Sequence, residues 1–152
     1  MENIENFDSE QKQNMQELLV LLNLPENDAL NINNTDELLD YLIKKQKFIC
    51  INKPKNEYEE VNLFDTIIQV FRKSGENLPE YFNESNICDD CEVMEILEML
   101  NSYYNSEDEK VIMILDNARD KYIVCIIPEQ QTDKVYTLSF QTGIPLVNID
   151  EF

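Results

Sequence analysis

The stretch Lys110 to Pro128, KVIMILDNARDKYIVCIIP, constrains the fold of this chain more than any other. Two apolar runs rich in Ile and Val, Val111 to Leu115 and Tyr122 to Ile127, flank a polar break at Asp116 to Lys121. A break that short holds no helix, so the runs are expected to fold back on each other as an antiparallel pair. Neither run alternates between apolar and polar residues. Both faces of the pair are therefore expected to be covered by other elements rather than left to solvent.

Length and composition set what can do the covering. A chain of 152 residues fits one domain with a real core, and its 43% hydrophobic content is ordinary for a globular protein. Its charge is not ordinary: 31 acidic side chains against 12 basic ones give a net charge of -19. A field of that sign repels phosphate backbones and anionic lipid, so neither nucleic acid nor membrane is expected as a partner. It favours a basic protein, although the same charge also serves solubility. The chain has no histidine, which rules out Ser-His, Cys-His and His-metal arrangements within it. Two glycines, Gly75 and Gly143, are too few for a phosphate-cradling loop. MENIENFDSEQ has no basic and apolar character of a secretory leader, and no run reaches the length of a membrane span, so a cytoplasmic location is expected.

Taken in order, residues 1 to 8 read as a loosely ordered start and 9 to 46 as an N-terminal helical pair. Met15, Leu18, Leu19 and Leu22 recur at helical spacing before Pro25. In the second helix Leu38, Leu39, Leu42 and Ile43 share a face, and Asn34 with Glu37 reads as a reciprocal cap. Residues 48 to 152 form the α+β core. Phe48 to Ile51 reads as a short strand, Glu57 to Lys73 as a third helix stopped by Gly75, and 76 to 88 as a long connection packed by aromatics or functional. A fourth helix is expected over Asp90 to Tyr104, capped by Asp89 with Glu92. Residues 129 to 142 stay open between strand and helix, because Tyr136, Leu138 and Phe140 alternate while Val135 and Leu138 before Gly143 suit a capped helix. Leu146 to Phe152 reads as a last extended piece. The expected architecture is α+β: a single domain of four helices packed on a small, mostly antiparallel sheet with a central hairpin.

Two motifs are candidates for chemistry. Cys88 and Cys91, two residues apart at a helix start, have the spacing of a redox pair or half a zinc site, but Asp89 and Asp90 between them oppose a second negative charge. The remaining thiols, Cys50 and Cys125, lie in apolar runs, and structural disulfides are not expected in a cytosolic chain. Asp116 and Asp120 bracket the hairpin tip and could approach each other as a general acid and base or a divalent-metal pair, although turn formation is the simpler role for them. No catalytic residue, metal or cofactor is expected.

The more informative cluster is acidic. Asp89, Asp90, Glu92, Glu95 and Glu98 lie along the fourth helix, with Tyr103 and Tyr104 near its end. Carboxylates beside aromatics make a docking surface, because charge speeds encounter while aromatics carry binding energy.

From about Phe48 to residue 145, FICINKPKNEYEEVNLFDTIIQVF and VIMILDNARDKYIVCIIP resemble a family of small acidic bacterial proteins classed only as a domain of unknown function, DUF6630-like. The family hairpin carries an Asp-containing turn, a second Asp, an aromatic-bearing strand and a proline, whose places here hold Asp116, Asp120, Tyr122 and Pro128. The chain departs from it at Asn52 to Pro54, where the family has an Asp-Trp-Lys-like signature. The resemblance implies a helix after Pro128 and brings no activity with it.

Size, acidity and missing catalytic groups lead to one functional expectation. The chain reads as a non-enzymatic protein-binding protein, most concretely a bacterial immunity protein that neutralises a toxin by covering a basic surface. The partner-binding candidates are Asp89, Asp90, Glu92, Glu95, Glu98, Tyr103, Tyr104, Asp116 and Asp120. The alternatives are a cytosolic adaptor or a metal-dependent protein using carboxylates or cysteines.

Overall fold

The structure, a computed structural model, describes residues 6–83, 91–116 and 121–152. The expected hairpin is its centre: β2 (Lys110–Leu115) and β3 (Lys121–Pro128) pair antiparallel, with Met113 opposite Cys125. Two short strands complete the sheet. β1 (Ile49–Asn52) pairs with β3, and β4 (Leu146–Asn148) pairs with β2, giving the order β1-β3-β2-β4, antiparallel throughout.

The unbroken apolar runs are explained by what each face meets. Ile112, Ile114 and Val124, joined by Ile49 and Ile51 of β1, point into one core; Met113, Leu115, Ile123, Cys125 and Ile127 point into the other. The first core is closed by α4 (Leu63–Lys73) and α5 (Val93–Asp108), through Ile67, Phe71, Ile96, Leu97 and Leu100. The second is closed by α1 (Ser9–Leu21), α2 (Thr35–Lys44) and α6 (Thr132–Gln141), through Met15, Leu18, Leu38, Leu42, Val135 and Leu138. Helices thus lie on both faces of a small antiparallel sheet. Each fully buried Leu, Ile or Phe in these layers contributes about 1.5–3 kcal/mol, so the two cores, not helix propensity, hold the helices in place.

Local chemistry sets the ends of the helices. Asp8 and Gln11 form a reciprocal capping box on α1, and Phe7 N–H donates to Asn33 O at 2.7 Å, so the chain is fastened from Phe7 onward. Asn34 accepts from the Glu37 N–H as expected, but the Glu37 carboxylate returns to the Asn33 N–H and the Asn34 amide instead of the Asn34 backbone. Gly75 ends α4 at φ +82, where the Glu76 N–H reaches back to Phe71 O.

Two expectations are corrected and one open alternative is decided. The single helix over 57 to 73 is two, α3 (Glu57–Val61) and α4, because Asn62 leaves helical geometry and its side-chain amide donates to Tyr58 O at 2.8 Å. α3 buries nothing whereas α4 buries Leu63, Ile67, Ile68 and Phe71, so the break separates an exposed segment from a core helix. The fourth expected helix starts later and runs further, Val93–Asp108, and its capping box is Glu92 with Glu95. Asp89 lies outside the described residues. The open segment after Pro128 is helical: α6 rests on α1 with Val135 and Leu138 buried.

The described part of the connection after Gly75, residues 76–83, is packed by aromatics. Phe82 meets Phe64 edge-on at 5.1 Å, and the Tyr104 hydroxyl donates to Asn77 O at 2.8 Å.

Candidate functional site

Asn56 caps α3 by accepting the Glu59 N–H, and the Glu59 carboxylate accepts the Lys55 N–H. These bonds fix the start of a short helix whose outward residues are strongly exposed, Tyr58 at 78% and Val61 at 63%. Opposite it begins α5, at Glu92 and Val93. Between the two is a cleft of about 550 Å³. Its walls carry three carboxylates, Glu57 and Glu60 from α3 and Glu92 from α5; Pro54, Leu63, Val93 and the Tyr122 ring supply the apolar part, and Val61 and Cys91 also line it.

Glu57, Glu60 and Glu92 are all exposed, so they act as solvated negative charges facing one recess. Attraction between such groups and a cation is weak singly and grows when several converge on a desolvated partner. The Tyr122 ring that lines the recess already has a cation over it. Lys53 Nζ lies 5.2 Å from the centroid of that ring.

The sequence candidates are scattered by the fold. Glu92 belongs to the cleft. Glu95 and Glu98 are exposed on the following turns of α5, with the Glu95 carboxylate accepting the Glu92 N–H at 3.2 Å. Tyr103 and Tyr104 lie about 15 Å further along that helix at 1.5 Å per residue, too far to share the recess. Tyr104 is corrected outright. It is 1% exposed, packed against Phe71, and part of the core, because its hydroxyl is satisfied by Asn77 O. Tyr103 is half-buried against the same core. Asp116 is exposed at the end of β2 and its N–H is held by Pro145 O. Asp89, Asp90, Asp120 and Cys88 lie outside the described residues.

Glu57, Glu60, Val61 and Tyr122 were missed. A signal existed in EYEEV, where three acids and an aromatic share one turn, but reading 57 to 73 as a single helix directed attention to its buried face.

Thiol chemistry also departs from expectation. Cys91 is disulfide-bonded, against the expectation of reduced cysteines, which had rested on compartment and not on geometry. Cys50 and Cys125 are free. Burial pushes the Cys125 thiol up to about 12 and raises Cys50, where Lys121 partly opposes the shift. Both therefore stay protonated at neutral pH. Elsewhere, burial raises Glu76 despite Lys110 and Lys47 nearby, and burial followed by the Asp28 hydrogen bond raises Tyr41 to about 12.

Among the described residues no group of three or more Cys, Asp or Glu side chains is arranged to hold a metal ion, and no helix is long and apolar enough to cross a membrane. Compared with known protein families, with curated proteins and with solved structures, the chain matches none.

Proposed function

We propose that this is a non-enzymatic binding protein that docks a basic protein surface at the cleft between α3 and the start of α5. The observation that carries this reading is the convergence of Glu57, Glu60 and Glu92 on one recess with an aromatic and apolar wall. A Lys or Arg side chain entering it meets carboxylates at its charged end, while Pro54, Leu63 and Tyr122 cover its methylene stem. Tyr58 and Val61 beside the recess add exposed apolar area, and the net charge of -19 accelerates encounter with a cationic surface. The most concrete form is an immunity protein that covers the basic surface of a toxin.

The experiment is a pull-down from the native host's lysate at low and high salt, using the native chain, the triple variant Glu57→Lys, Glu60→Lys, Glu92→Lys, and a control reversed on α1, Glu10→Lys with Glu17→Lys. The expected result is a basic partner retained at low salt, released at high salt, lost by the cleft variant and kept by the control. Retention by the cleft variant, or equal loss from both variants, overturns the assignment.

A further inference from the structure

The negative charge of the chain is not spread evenly. From residue 44 to 55, KKQKFICINKPK, there are five lysines and no acid, so five of the twelve basic side chains fall in one short segment. That segment is β1 with its two flanks: Lys44, Lys45 and Lys47 precede the strand, and Lys53 and Lys55 follow it.

β1 is also an edge. It pairs with β3 on one side, and among the described residues no N–H or C=O of Ile49 to Asn52 is bonded to any other element. In an antiparallel pair, alternate residues turn their backbone groups away from the partner strand. The outer side of β1 therefore presents donors and acceptors in strand geometry, framed by cations. Recesses of about 300 Å³ open at both ends: one runs from Lys45, Lys47 and Glu76 along Ile126 and Ile127, where β3 continues past the start of β1, and the other lies between Asn52, Lys55, Glu59 and Thr66.

We propose that the outer edge of β1 takes an extended acidic segment of a partner protein as a fifth strand of the sheet. Backbone bonding supplies the adhesion and the lysines select the sign of the side chains. Lys47 is partly offset by Glu76; Lys45 Nζ lies 5.8 Å from the centroid of the Tyr41 ring of α2, and Lys53 Nζ lies 5.2 Å from that of the Tyr122 ring of β3. A second copy is disfavoured as the occupant. Antiparallel pairing of β1 with itself brings Lys45 and Lys47 of one copy against Lys53 and Lys55 of the other. The opposite edge of the sheet provides an internal contrast: β4 is three residues long and is followed by Asp150 and Glu151, so an acidic strand is repelled there. This inference does not rest on the acidic cleft.

The test uses the full chain and a short blocked peptide alternating glutamate with threonine and valine, with two controls: the same peptide N-methylated at its inner amides, and a short oligonucleotide. Binding is followed by amide exchange resolved by residue. The expected result is saturable peptide binding with slowed exchange in β1 and none in β4, weakened at least roughly tenfold by N-methylation and again by the variant Lys45→Glu, Lys47→Glu, Lys53→Glu, Lys55→Glu. Circular dichroism and a Lys→Ala set at the same four positions keep the result readable should the reversed variant lose its fold. Equal binding by the N-methylated peptide, binding of the oligonucleotide in place of the peptide, or no protection in β1 at millimolar peptide overturns the proposal.

Discussion

Gly143 and Gly75 provide a matched pair for testing how the helical layer over the second core is locked. Both end helices in the left-handed region, at φ +85 and φ +82. Their surroundings differ. A Cβ on Gly75 meets nothing within 4 Å, whereas a Cβ on Gly143 falls 2.5 Å from Thr35 Oγ1 and 3.1 Å from its Cγ2. Thr35 starts α2, and its hydroxyl donates to Thr142 O at 2.8 Å, tying α2 to the end of α6. Gly75→Ala should therefore cost the backbone strain alone, about 1 kcal/mol. Gly143→Ala adds about 1–3 kcal/mol for overpacking and about 1 kcal/mol for the displaced hydrogen bond, a total of roughly 3–5 kcal/mol. Urea denaturation of the two variants measures the difference directly. In thermal melts it corresponds to a fall of about 2–4 °C for Gly75→Ala and several times that for Gly143→Ala. Removing the obstacle should relieve the clash: Thr35→Ala combined with Gly143→Ala should be less destabilised than the sum of the single variants by about 1 kcal/mol or more. Equal losses at the two glycines, or strict additivity with Thr35→Ala, would refute the steric argument.

Further outcomes follow from the buried polar groups. Tyr104→Phe removes the hydroxyl that bonds Asn77 O and should cost about 1 kcal/mol in urea denaturation, with faster amide exchange around Asn77. Tyr41, raised to about 12 by burial and Asp28, favours the folded state while protonated; that contribution is complete below pH 10 and is lost as pH rises from 10 through 12. Asp28→Asn should bring the phenolate transition, read by ultraviolet absorbance, back toward 10 and narrow this window. Alkylation of the folded protein at neutral pH should modify half-buried Cys50 before Cys125, which is 1% exposed and pushed up to about 12; labelling of Cys125 at a comparable rate would contradict its burial.

Much of the fold was legible because its information is local. The two runs of the hairpin announce a strand pair covered on both faces, and the alternation of Ile112, Ile114 against Met113, Leu115 into two cores is the physical content of that pattern. Helix α6 was ambiguous for a definable reason. Tyr136 and Phe140 stack on its outer side with centroids 6.3 Å apart, and their alternation with Leu138 imitates a strand. Only the fit of Val135 and Leu138 against the second core decides between the two. The break at Asn62 was equally hidden, since a side-chain amide returning to Tyr58 O competes with the helix without leaving a proline or glycine in the sequence. The cleft was the least legible feature, because Glu57 and Glu60 meet Glu92 only after α3 and α5 are placed on the same end of the sheet. Spacing within one helix could reveal Glu92, Glu95 and Glu98 but not the residues across from them.

The two proposed surfaces meet at Pro54. In sequence, Lys53 and Lys55 follow β1, and Glu57 and Glu60 of the cleft come next, so the sign of the charge reverses within a single turn of chain. A ligand spanning both must reverse its own charge at the matching place. An acidic strand that continues into a lysine or arginine satisfies the edge and the cleft together, and the reversed order places like charges in contact at both. Net charge alone cannot make that distinction, since it treats every cationic partner alike. Surface charges of this kind act within a Debye length of about 8 Å at physiological salt, so the local order of signs around Pro54 outweighs the overall field once a partner is docked. Selectivity between two peptides of identical composition and opposite order is therefore the property that separates a docking site at this junction from attraction to an acidic protein in general.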